Sequence, residues 1–112
     1  MIIEDKTKLR KKIYKRKDKE YAMYFTTFSA KFSNTLKKFQ ELHNVELLTD
    51  KGKIVLPKVN LFEYSYYLDK KTGQKIPQFS FVIPKSLAEE LEKQGIRTLK
   101  IIVEVPDLQT KS

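Results

Sequence analysis

Between Lys6 and Lys17 the chain carries eight basic side chains and no acid. Cations at that density repel one another, make poor core residues, and gain most when a polyanion releases its counterions. Few other side chains offer chemistry. With no Cys, a disulfide scaffold, a thiolate zinc site and a cysteine nucleophile are all out of reach. The single histidine, His43, reads as a partner for the C-terminus of a short helix rather than a base. Glu89, Glu90 and Glu92 read as the solvated face of a second helix, not as a catalytic pair. Asp69 reads as a turn cap rather than a metal ligand. The three glycines do not form a phosphate-cradling loop. The residues therefore point to a binding protein and away from an enzyme, with no cofactor, metal or small-molecule substrate implied.

Charge decides which partner to expect. The chain has 112 residues with 23 Lys+Arg against 14 Asp+Glu, a formal net charge of +9. Residues 1–20 hold nine basic and four acidic side chains, so more than half of the excess sits in the first fifth of the chain. Twenty of the basic residues are Lys and three are Arg. Lys acts as a point charge on phosphates, whereas Arg supplies the fork that reads guanine edges. Backbone attraction is thus favoured over sequence readout, and DNA over RNA. A solubilising Lys-rich surface, an acidic protein partner and an anionic membrane surface are the competing readings. Leu9, Ile13 and Tyr14 make too small an apolar stripe for a membrane face. Many Lys and Glu with no Cys also resembles a thermophile composition.

Positioning these groups requires a fold, and 40% hydrophobic residues with thirteen aromatics can supply one. The sequence divides into a basic arm at 1–20, an α+β domain at 21–106 and a frayed tail at 107–112. Tyr21–Phe32 reads as a strand, since Phe28, Ala30 and Phe32 alternate with polar residues. Leu36, Phe39 and Leu42 suggest an amphipathic helix over about 34–43 behind a Ser33 cap. Short strands at Val45–Thr49 and Lys53–Leu56 flank an Asp50-Lys51-Gly52 turn, with Pro57 ending the second. Leu61–Leu68 and Lys75–Ile83 form a hairpin around Asp69 and Gly73. Pro84 opens a helix over about 85–94 that Gly95 stops, and Leu99–Val105 is the last strand. Strand, helix and strand thus recur at 21–60 and 61–106. Phe28, Phe32, Leu36 and Val45 lie 51 residues before Phe79, Ile83, Leu87 and Ile96.

The segment from Phe79 through Ile83-Pro84-Lys85 to Leu91, followed by Leu99–Val105, resembles the core motif of AbrB/SpoVT-type swapped-hairpin DNA-binding domains. Lys51-Gly52-Lys53-Ile54-Val55-Leu56-Pro57-Lys58 is similar to the opening of that motif. The chain departs from the pattern after Lys58, which runs into another strand, and at Arg97-Thr98, which replaces a Gly-Asp turn. The resemblance implies an intertwined, β-rich, barrel-like domain, a homodimer or a duplicated monomer, with basic strands facing DNA.

The sequence thus predicts a β-rich α+β domain with two short helices that binds nucleic acid, duplex DNA first, as a small transcription regulator or chromatin-type factor. An accessory subunit of a larger complex and an RNA- or ribosome-associated protein are the rivals. Phosphates would meet Lys6, Lys8, Arg10, Lys11, Lys12, Lys15, Arg16, Lys17 and Lys19 on the arm. Lys51, Lys53, Lys70, Lys71 and Lys75 would add contacts from the turns. Tyr64 and Tyr66 are candidates for base stacking, against a competing role in core or dimer packing. No transmembrane run is present, and a cytoplasmic, nucleoid-associated location is expected.

Overall fold

The computed structural model describes residues 1–106; the tail expected at 107–112 lies outside the described residues. Seven strands and two short helices run β1 (Ile2–Lys8), β2 (Arg10–Arg16), β3 (Lys19–Thr27), α1 (Ser33–Leu36), β4 (Glu41–Thr49), β5 (Gly52–Leu68), β6 (Lys75–Ile83), α2 (Lys85–Lys93) and β7 (Thr98–Glu104). All strand pairings are antiparallel, in the order β1-β7-β4-β5-β6-β3-β2. The two outermost strands, β1 and β2, are joined by Leu9 alone, so the sheet has to curl to bring its ends together. The result is a half-barrel. Across the join the Thr7 and Thr26 hydroxyls are hydrogen-bonded and Thr26 donates to the Lys8 carbonyl, while Leu9 N–H donates to the Arg97 carbonyl and extends the β1–β7 ladder.

Residues 1–20 are therefore not a detached arm. β1 pairs with β7 over its whole length, and Ile3, Asp5 and Thr7 point inward while Glu4, Lys6 and Lys8 point out. A strand needs one apolar face only, and Ile3, fully buried, with two small hydrogen-bonded residues suffices. β2 is exposed along all seven residues and forms a free edge, which its cations shield from pairing with other chains.

β5, seventeen residues long, serves both halves of the sheet: Gly52–Asn60 pairs with β4 and Leu61–Leu68 with β6. The sequence expectation that Pro57 ends this strand is corrected. Pro57 stands opposite Asn44, at the one gap in an otherwise continuous register, and Asn44 has a positive φ of 53°. A missing ladder donor is harmless where the partner residue has already left the ladder. The same gap resets the alternation, because His43 and Asn44 both face out and so do Pro57 and Lys58.

The helix expected at 34–43 shrinks to the four residues of α1, and the strand expected to run to Phe32 ends at Thr27, where the alternating Phe28, Ala30 and Phe32 leave the sheet and Ala30–Phe32 form a 3-10 turn. Leu36, Phe39 and Leu42 do all pack on the core, but Leu42 does so from β4. The second helix, its Gly95 stop with φ +75°, the last strand and the hairpin around Asp69 follow the sequence expectation closely. Phe28, Leu36, Phe81, Ile83, Ala88 and Leu91 join Ile3, Leu47, Ile101 and Val103 in one core inside the curl. The order strand–helix–strand occurs twice, and β3 pairs with β6 as β4 pairs with β7.

β3 and β6 overlap only at Tyr24–Thr27 and Ser80–Ile83, running in opposite directions. The β2–β3 and β5–β6 hairpins consequently extend from opposite ends of the second half-sheet. Their tips are about 40 Å apart along the strands, at about 3.3 Å per residue, which accounts for the 50 Å long axis of the molecule.

Candidate functional site

Strand register sorts the basic residues onto faces, since directly paired residues of antiparallel strands share one side. Arg10, Lys12, Tyr14 and Arg16 pair with Phe25, Met23, Tyr21 and Lys19. Phe25 pairs on with Val82, and Thr27 with Ser80, which in turn faces Phe62. All of these lie on the outer side of the half-sheet β5-β6-β3-β2. Lys11, Ile13 and Lys15 lie on the opposite side, with Tyr24, Ala22 and Glu20. Two successive residues of β5, Tyr64 and Ser65, answer the single residue Gln78, and this bulge turns the Tyr64 ring onto the outer face.

There Tyr64 packs on Phe25 with ring centroids 4.6 Å apart, and Phe62 flanks Phe25 at 6.3 Å. Phe25 belongs to the outer face yet is only 2% exposed, because these rings cover it. The Lys12 ammonium sits 5.6 Å from the Tyr64 centroid. Tyr14 and Tyr21 form a second ring pair, 6.4 Å apart with a 31° tilt. Among the described residues, none of Arg10, Lys12, Arg16 and Lys19 has a carboxylate within ion-pair distance. The charge on this face is uncompensated.

The other half-sheet is different. On its outer side Lys100 pairs with Glu4 at 3.7 Å and Lys53 with Glu46 at 3.1 Å. Lys6 and Lys8 project there from β1, and Lys51 stands at the β4–β5 turn, where Thr49 Oγ1 accepts from its N–H. Those predicted contacts thus belong to the other half-sheet, with Lys8 nearest the β2 cluster across Leu9 and Lys53 neutralised by Glu46. Lys11 faces α2: its ammonium is 3.9 Å from Glu92 and lies over the Tyr24 ring. Its pKa is raised from the ordinary 10.5, first by the Tyr24 hydroxyl and then by the Glu92 carboxylate. A raised lysine value leaves the charge in place at every pH below the ordinary one. Lys15 shares that inner side, and Lys17 forms the β2–β3 turn at φ 48°.

The remaining predicted residues sit at the far tip. Lys70 and Lys71 cross the β5–β6 turn, which Asp69 caps by accepting from the Lys71 N–H at 2.9 Å, and Lys75 lies 4.8 Å over the Tyr66 ring. Tyr66 pairs with Pro77 and Tyr64 does not, so the two expected stacking rings are on opposite faces. The predicted set thus splits: Arg10, Lys12, Arg16, Lys19 and Tyr64 share one surface, and the rest do not. Tyr14 and Tyr21 belong to that surface and escaped the sequence reading. The alternation Arg10, Lys12, Tyr14, Arg16 was the available signal, hidden while the segment was read as an arm.

His43 is corrected as well: it lies within β4, exposed, with Nε2 3.0 Å from a Glu41 carboxylate oxygen. Among the described residues no cluster of three or more His, Asp or Glu is placed to hold a metal ion, and no helix is long and apolar enough to cross a membrane. No known family, curated protein or solved structure matches the chain.

Proposed function

We propose that the protein is a nucleic-acid-binding module rather than an enzyme, and that Arg10, Lys12, Arg16 and Lys19 on the outer face of β2 and β3 receive the phosphates. The observation that carries this reading is the contrast between the two half-sheets. On one, Lys53 and Lys100 are paired with glutamates from neighbouring strands; on the other, four cations share a face with rings and no acid. Unbalanced charge beside exposed aromatic surface is what polyanion binding uses, because counterion release supplies the affinity. The Lys-rich composition favours a duplex backbone, as in a small transcription regulator or chromatin-type factor. The ring pairs on the same face favour unpaired bases. Ile83-Pro84-Lys85 leads from β6 into α2 as in the swapped-hairpin DNA-binding domains it resembles, and the repeated strand–helix–strand order supports a duplicated origin.

The test is the salt dependence of binding. Each neutralised phosphate contributes a slope of about −0.7 on single strands and about −0.9 on duplex DNA, so four contacts predict about −3 to −4 in log K against log salt. A slope near zero would contradict the proposal, as would binding to an acidic protein fraction with none to nucleic acid.

A further inference from the structure

We infer that the ligand of this face is single-stranded DNA, held by base stacking on Tyr14, Tyr21 and Tyr64 and by phosphate contacts to the cations between them. The inference rests on the nucleic-acid reading above and goes beyond it, because phosphate contacts alone require no rings. Tyr14 and Tyr21 are each 44% exposed and Tyr64 is 42% exposed, on a face where Phe25 is covered, Phe62 is half-buried and Tyr67, paired with Ile76, is a further exposed ring toward the β5–β6 turn. A duplex keeps the faces of its bases stacked inside and presents sugars and phosphates to a flat sheet. It would leave these rings without a partner. An unpaired base offers a π face of the same size, and stacking of this kind is sequence-tolerant.

The spacing suits one continuous strand. Tyr21 and Phe25 are four residues apart on β3, about 13 Å, so the Tyr14–Tyr21 pair and the Tyr64–Phe25 cluster lie within the span of a few nucleotides, inside the roughly 4–16 nucleotide site of a small single-strand-binding domain. Lys12 stands between the two clusters, paired with Met23, and Arg10 and Arg16 flank it on β2. A strand crossing from one cluster to the other therefore passes Lys12 and has an Arg at each end.

The neutral polar groups of the face argue for DNA over RNA. Thr27 and Ser80 hydroxyls are hydrogen-bonded to each other at 2.8 Å and buried. Ser65 donates to the Gln78 side-chain Oε1 at 3.2 Å, while Gln78 Nε2 donates to the Phe28 backbone carbonyl. With these groups engaged, the Ser, Thr and Gln side chains at the centre of the face are not free to select a 2′-OH, the group that distinguishes RNA at a site, and the hydroxyls left open there are the phenols of the stacking tyrosines themselves. Charge and rings are what it presents.

The experiment measures fluorescence anisotropy with the full chain and three labelled probes of one mixed sequence: a DNA strand of about 12 nucleotides, within the roughly 4–16 nucleotide range of small single-strand-binding domains, its duplex, and the matching RNA. The DNA strand should bind about tenfold or more tighter than the duplex and at least as tightly as the RNA. Y14A/Y21A, and separately Tyr64→Leu, should each weaken single-strand binding roughly 5- to 150-fold with duplex binding unchanged. Leu at position 64 keeps Phe25 covered while removing the π face, and a thermal melt by circular dichroism reports the fold of each variant. Duplex binding as tight as single-strand binding, tighter RNA binding, or folded tyrosine variants that bind like the parent would overturn the inference. In any of these cases, loss of binding in a folded R10E/K12E variant leaves the phosphate-binding reading standing. Absence of binding to all three probes would remove both.

Discussion

Asp5 stands immediately before the most basic stretch of the chain, and it points inward. Its carboxylate accepts from the Ser29 N–H at 2.7 Å, the Ser29 hydroxyl at 2.8 Å and the Lys6 N–H at 3.0 Å. It is 7% exposed, so these bonds replace most of its water. The contact ties β1 to the loop between β3 and α1, across the join of the half-barrel. Hydrogen bonds to a charged group contribute about 1.5–3 kcal/mol each in favourable cases, and removing one partner leaves the other unsatisfied. Asp5→Ala should therefore lower stability by about 2–3 kcal/mol, read as a shift in the urea midpoint at unchanged slope. A shift within experimental error would mean that water satisfies Ser29 equally well. Nothing in the sequence marks Asp5, because Ser29 lies 24 residues away and only the fold brings them together. The Asp69 cap was legible because its partner is two residues on; the bulge at Tyr64 was not, because it is defined by a strand thirteen or more residues away.

At the scale of elements, the hairpin β5–β6, the helix α2 and the strand β7 were legible from local patterns: an Asp and a Gly bracketing a turn, a Pro–helix–Gly frame, and alternating Leu99, Ile101 and Val103. β1 and β2 were not. In β1 the inward residues after Ile3 are polar, and in β2 no residue is buried, so the period of two carries no apolar signal. The short first helix failed for another reason. Leu36, Phe39 and Leu42 fit a helical face, but β4 must begin by Glu41 to pair with β5 from Asn60 inward, and sheet pairing overrides a three-residue helical pattern. Removing residues 1–19, harmless for a detached arm, should then unfold the domain. It deletes two of seven strands, withdraws Ile3 from the core, worth about 1.5–3 kcal/mol by itself, and opens the backbone edge of β7. Loss of the cooperative thermal transition is the expected result. A truncated chain that melts like the parent would show that β1 and β2 are dispensable.

For the whole molecule, the net charge of +9 says less than its distribution over the two half-sheets. One outer face sets Lys53 and Lys100 against glutamates of neighbouring strands and is partly neutralised; the other gathers Arg10, Lys12, Arg16 and Lys19 around two ring clusters with no ion pair. Composition alone could suggest a polyanion partner. It could not say which lysines act together, because that depends on a register set by a turn at Lys17-Asp18 and on a sheet curled through Leu9. The central claim is that position on this face, not total charge, governs binding. Two double variants with the same change in net charge test it: R10E/K12E on the outer face of β2, and K6E/K51E on the other half-sheet and its turn. Their affinities for one labelled DNA strand, measured side by side at one salt concentration, give the answer. The account predicts that R10E/K12E loses about tenfold or more, from two lost phosphate contacts and added repulsion, while K6E/K51E stays within about twofold of the parent, as expected for charges that make no phosphate contact and act only through screened solvent. Equal losses in the two variants would contradict it.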